Sequence, residues 1–146
     1  MPTLRSFESS DTDACYSICL KTADNGGDAT ELHTDPRIVG EVWVAPYLTR
    51  HPEFAFVVED EEGVGGYIVG APFTDDYDGW ADQEWFVPLR EKYPLGSFPD
   101  GTADGVCVNL MHNPLRMPAE TVAAYPAHLH IDLLQRLQGG GFGRQL

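Results

Sequence analysis

Residues 138–144, Gln-Gly-Gly-Gly-Phe-Gly-Arg, place four glycines within five positions directly behind an apolar, β-rich run, AHLHIDLL at 127–134. Without a Cβ in the way, successive main-chain N–H groups can turn towards one point. A helix starting behind them adds unpaired donors and the positive end of its dipole. The chemistry such a loop can do is to hold a phosphate, with Arg144 adding charge beside it. Two phosphate-binding patterns are excluded. No Lys-Ser/Thr pair follows the last glycine, as a P-loop requires. A dinucleotide fingerprint counted from Gly139 meets Arg144 where its sixth-position glycine belongs, and that loop would follow the first strand of its fold, not the fourth.

Titratable residues lie just upstream. Strand alternation puts Ala127, Leu129, Ile131 and Leu133 on one face and His128, His130 and Asp132 on the other. Asp132 and His130 are titratable groups that could move a proton; a buried carboxylate and a core histidine are the plainer alternatives. A zinc site from His112, His128 and His130 is not expected, because only two share a face and no cysteine pair supports them. Trp80, Trp85 and Tyr93 suit a pocket wall or, more commonly, a core. Asp75, Asp76 and Asp78 suit attraction of a cation or a solvated loop.

The elements that must position these groups follow from periodicity. TLRSFES (3–9) reads as a first strand anchored by Leu4 and Phe7. Ser10 or Asp11 caps a helix with Ala14, Cys15, Ile18 and Cys19 on its buried stripe. Asp35 and Pro36 open a second helix carrying Val39, Val42, Trp43 and Tyr47, which Pro46 bends or ends. FAFVVE (54–59) and GGYIVGAP (65–72) form a hairpin around a polar turn. Trp80, Glu84, Trp85 and Leu89 recur at helical spacing around a break at Pro88. SFPDGTADG (97–105) and NPLRMPAET (113–121) read as loops. The order is strand, two helices, hairpin, inserted helix, strand, glycine loop and helix start, an α/β architecture.

Composition narrows the function. The 146 residues suit one domain with a real core, at 42% hydrophobic and 11% aromatic content. No apolar run approaches the ~18–20 residues that span a bilayer, so no membrane partner is expected. The net charge of −14 argues against nucleic acid and is compatible with a cationic substrate. Cys15, Cys19 and Cys107 form no disulfide framework, which implies a reducing, cytoplasmic setting.

Gln138, Gly141 and Gly143 fit a Gln-x-x-Gly-x-Gly pattern that resembles the acetyl-coenzyme A pyrophosphate loop of the GNAT superfamily of N-acetyltransferases. The element order is similar to that family's. GGYIVGAP, DGWADQEWFVPLREKYP (78–94) and AHLHIDLLQRLQGGGFGR (127–144) further resemble bacterial acetyltransferase-like proteins related to the C-terminal domain of O-GlcNAcase. The resemblance implies a mixed, mainly antiparallel sheet flanked by helices, one GNAT-like domain over 1–146. It implies that main chain near Leu133 and Leu134 binds the pantetheine arm. The amides of Gln138, Gly139, Gly140, Gly141, Phe142, Gly143 and Arg144 would hold the pyrophosphate. A neutral amine, from a small molecule or a protein, would attack the thioester directly. Family bases often lie on the fourth strand, on the face that is apolar here, and this departure leaves Asp132 and then His130 as the expected bases, with no metal. The family fold continues past the loop, so the resemblance further implies a C-terminally truncated domain, the N-terminal half to two-thirds of the fold, whose bare strand edge a second copy or another chain would cover. The alternative is an inactive pseudo-acetyltransferase acting as a binding module.

Overall fold

Arg5 ties the first elements together. In the computed structural model, which describes residues 1–146, Thr3–Ser6 form β1. The Arg5 guanidinium donates to Glu59 at 2.6 Å and to both oxygens of Asp11 at 2.7 and 2.9 Å. Asp11 is the N-cap of α1, Thr12–Thr22. The Arg5 hydrogen bonds hold the Asp11 carboxyl below its ordinary range against the cost of burial, and Glu8 N–H assists. As expected, α1 buries Cys15, Ile18 and Cys19. Leu4 corrects the expectation: it is 38% exposed, because β1 is an edge strand and Leu4 lies on its uncovered face, while Phe7 packs on the core.

The second helix begins at Ile38, two residues after Pro36, because Asp35 first closes a turn by accepting from Arg37 N–H at 2.9 Å. It is split as the sequence predicts. Val44 leaves helical geometry (φ −126°, ψ −47°), separating α2, Ile38–Trp43, from α3, Ala45–Arg50, with Pro46 in the first turn of α3. Gly40 lets α2 approach α1 closely, since a Cβ there would fall 2.3 Å from the Tyr16 ring.

The hairpin is β2, Phe56–Asp60, and β3, Gly63–Ala71; β4 is His128–Leu133. All four strands run antiparallel in the order β1-β2-β3-β4. β3 is the most deeply buried, with Tyr67 and Val69 inaccessible. β4 forms the second edge.

α1 and α3 pack on one face of the sheet, and between β3 and β4 lie further helices, of which one, Ala103–His112, packs on α2. α4, Thr74–Trp80, runs through a π-helical turn, Ala81–Trp85, into α5, Phe86–Lys92. Pro88 therefore does not break the helix. A proline ring collides with the carbonyl four residues back; that carbonyl, of Glu84, belongs to the π turn, whose ladder runs one residue out of step. Asp75 and Asp76 sit in the first turn of α4, not in a loop. Trp85 Nε1 donates to Glu41 O at 2.9 Å and ties the insertion to α2.

Residues 97–121 depart most from expectation. α6, Ala103–His112, and α7, Ala119–Ala124, occupy parts read as loop. Thr102 caps α6 by accepting from Gly105 N–H at 3.1 Å, and Cys107, Val108 and Met111 are buried. The core joins α1, α2, α3, α6 and the inner residues of β2 and β3. No helix is long and apolar enough to cross a membrane.

Candidate active site

The β4 register sets the site. Asp132 pairs with Tyr67 and His130 with Val69, and both β4 side chains turn towards the helices. Tyr67 O–H donates to Asp132 Oδ2 at 2.5 Å. Burial, then the neighbouring Cys19 and Asp132, push the Tyr67 phenol far up, so it stays protonated and donates. His130 Nε2 lies 3.0 Å from the same Oδ2 but points badly for a hydrogen bond, and the nitrogen is left buried without one. The imidazole stacks on Trp43 at 5.9 Å.

These groups line a cavity of about 460 Å³ between α1, α2, α6 and β4, whose walls include Cys19, His33, Trp43, Cys107, His130 and Asp132. Burial pushes the Cys19 and Cys107 thiols up to about 12, so neither is a thiolate nucleophile at neutral pH. The sequence reading missed His33. Its Nδ1 lies 2.7 Å from Asp104 Oδ1, and Asp104 Oδ2 accepts from Thr34 N–H at 2.7 Å. The available signal was Asp104 two residues after a Thr cap; the missed helix hid it.

Several candidates do not join this cavity. His128 sits between Tyr47 Oη and Thr74 Oγ1, each at 2.8 Å, and burial lowers its pKa. His112 Nε2 bonds Tyr93 O at 2.9 Å. The His112, His128 and His130 set is not assembled. The metal-ligand atoms that do converge are those of Cys19, His130 and Asp132, all within 4.8 Å of one another. Trp80, Trp85 and Tyr93 pack on the core instead of lining the cavity. Asp76 and Asp78 pair with Arg50 and Arg116.

From the cavity a track runs along the open edge of β4. Leu134 N–H donates to Gly65 O at 2.8 Å, so Leu134, Asp132 and His130 direct their main-chain groups to β3. By antiparallel alternation, Leu129, Ile131 and Leu133 direct theirs to the free edge. Gln138 Nε2 donates to Leu133 O at 2.9 Å. A shallow depression of about 280 Å³ lined by Thr22, Gly26, Ile131, Leu133 and Gln138 continues from the cavity.

The glycine loop ends the track. Gly139 and Gly141 adopt φ of 77° and 80°, which side-chain-bearing residues avoid. The N–H groups of Gly139, Gly141, Phe142 and Gly143 donate to no protein acceptor. A Cβ on Gly139, Gly141 or Gly143 would meet nothing within 4 Å. Gly140 instead lies against the Phe142 ring, and Arg144 is exposed on the four-residue helix α8, Phe142–Gln145. Arg136 is committed elsewhere: it crosses Gly65 to reach Asp60 at 2.9 Å and Gly63 O at 3.1 Å, anchoring the loop to the hairpin.

No family model matches the chain. The crystal structure of SsHAT superposes with a TM-score of 0.89 over 99% of this chain and 72% of that one, at 38% identity. This chain belongs to the GNAT-like acetyltransferases. A second solved acetyltransferase, at 18% identity and a TM-score of 0.55 over 99% of this chain and 69% of that one, shares the fold. The O-GlcNAcase proteins of rat and mouse are 23% identical over 137 residues, and this GNAT-like chain spans 15% of their length. The family and fold read from the loop, the hairpin and the element order are therefore confirmed.

Proposed function

We propose that this GNAT-like chain is an acetyl-coenzyme A-dependent N-acetyltransferase that acts on an amine. The observation that carries the reading is the continuity of three features. Unbonded loop amides, an unpaired strand edge and a cavity with titratable walls follow one another along β4 and the segment behind it.

The residues present fit the donor. The amides of Gly139, Gly141, Phe142 and Gly143, with Gln138, Gly140 and Arg144 around them, suit a pyrophosphate. The open main-chain groups of Ile131 and the Leu133 N–H suit an amide-bearing arm added like a strand; the Leu133 carbonyl already accepts from Gln138 Nε2, and the Leu134 N–H is used within the sheet. When bound, acetyl-coenzyme A supplies an activated acyl group as a thioester. What remains for the protein is to admit an amine, exclude water and take a proton. Asp132 is one group placed for the last task, since Oδ1 makes no hydrogen bond and is not sealed from the cavity, while Tyr67 fixes the other oxygen. His130 beside it is the second candidate. The net charge of −14 favours approach of a cationic acceptor.

Two measurements test the proposal together: calorimetric titration with coenzyme A, and thiol release from acetyl-coenzyme A in the presence of primary amines. Gly141→Val, placed where φ is 80°, should abolish coenzyme A binding without loss of the global fold. A folded parent protein that binds no coenzyme A would overturn the reading in favour of a binding module.

A further inference from the structure

Two of the five histidines stand in contrast. His128 uses both ring nitrogens inside the protein, on Tyr47 and Thr74, as a structural histidine should. His33 does not. Its side chain is 5% exposed and Asp104 is 3% exposed, yet only Nδ1 is engaged, at 2.7 Å from Asp104 Oδ1. Nε2 has no hydrogen bond, is not among the sealed polar atoms, and His33 lines the 460 Å³ cavity.

The tautomer follows. A carboxylate only accepts, so Nδ1 carries the hydrogen and the Nε2 lone pair is open to the cavity. Asp104 is itself held at both ends, by the imidazole and by Thr34 N–H at 2.7 Å, on a helix whose first turn Thr102 caps. A base whose other nitrogen is oriented by a fixed carboxylate is the arrangement that proton-transfer sites use.

We propose that His33, oriented by Asp104, is a proton acceptor of the cavity, taking the proton from an ammonium group of the acceptor at Nε2. In this step an N–H bond of the ammonium breaks, its electron pair stays on nitrogen, and the proton passes to Nε2. The amine is then neutral and nucleophilic. Asp104 is a positioning residue. The other titratable groups facing His33 across the cavity are Cys107 from α6, Cys19 from α1, and His130 and Asp132 from β4. The role as a base in acetyl transfer rests on the function proposed above; the tautomer and the amine contact do not.

Imidazole nitrogen NMR on the full-length protein tests it without any variant. The parent should show His33 as the Nδ1–H tautomer, and spermidine, used as a soluble amine probe, should move the Nε2 resonance. An Nε2–H tautomer, or an Nε2 signal that spermidine leaves unmoved, overturns the proposal. In acetyl transfer, His33→Gln should lower kcat by about 100-fold or more, remove the acid limb of the pH–rate profile and leave coenzyme A affinity unchanged. Asp104→Asn should shift the profile and mix the tautomers. A His33→Gln enzyme with parental kcat and profile overturns the proposal. A parent that binds no coenzyme A overturns the acetyltransferase reading alone, and the nitrogen spectra still decide the His33 assignment.

Discussion

The Tyr67–Asp132 hydrogen bond should show an asymmetry set by burial. Tyr67 is inaccessible and its O–H lies 2.5 Å from Asp132 Oδ2; the Asp132 side chain keeps 17% exposure. Tyr67→Phe removes the donor but leaves a carboxylate that water can reach, so the expected cost is about 1.5 kcal/mol, the low end for a hydrogen bond to a charged group. Asp132→Ala strands a phenolic O–H in the core and should cost about 3 kcal/mol, because lost bonding and unpaired burial add. A double-mutant cycle should give a coupling of roughly 3 kcal/mol, since Tyr67→Phe has already removed both the bond and the hydroxyl that Asp132→Ala would strand. With 146 residues and an unfolding entropy of about 2.1 cal/mol/K per residue, each kcal/mol moves Tm by about 3 °C. Differential scanning calorimetry should thus show losses of about 5 °C and about 10 °C for the two single variants. Equal costs, or a coupling under about 0.5 kcal/mol, would refute the reasoning.

Other expectations are independent of that pair. Gly40→Ala should destabilise by about 1–3 kcal/mol in thermal melts despite alanine's better helix propensity, because its Cβ would lie 2.3 Å from Tyr16, whose ring is held beneath Arg37 at 3.8 Å. Thr102→Ala should cost about 1 kcal/mol in urea unfolding, through the lost bond to Gly105 N–H. Stability should also fall in alkali. Burial raises Cys15, Cys19 and Cys107 from 9.0 to about 12 and Tyr47 from 10.0 to about 12. Native-state values above the unfolded ones mean that the stabilisation is complete below pH 9 and lost as pH rises towards 12. Urea midpoints between pH 8 and 11 should decline steadily, and a flat profile would contradict this.

The sheet and the first two helices were legible because each has one buried face and therefore one period. Alternation marked the hairpin and β4; the Cys15, Ile18 and Cys19 stripe marked α1. The candidate site is legible where it is local in sequence: the glycine loop and the His130–Asp132 face can be read from adjacent residues. What could not be read depends on tertiary partners. α6 was hidden by Gly105 in its first turn and by the β-branched Val106 and Val108, whose weak helix propensity packing overrides. His33 acquires its meaning from Asp104, 71 residues away. Pro88 looked like a break because a π-helical turn leaves no periodic trace. The glycine loop is marked in the sequence by the spacing of Gln138, Gly141 and Gly143 behind a β-rich run, whereas the alternation along β4 that turns Leu134 inward and Leu133 outward required the register.

In the proposed function, the loop amides and the β4 edge hold one donor molecule. Amide proton–nitrogen correlation spectra recorded during a coenzyme A titration test it most directly. Saturable shifts should concentrate at Gly139, Gly141, Phe142 and Gly143 and extend to Leu133 and Ile131. Saturating coenzyme A that leaves these six amides unmoved would contradict it.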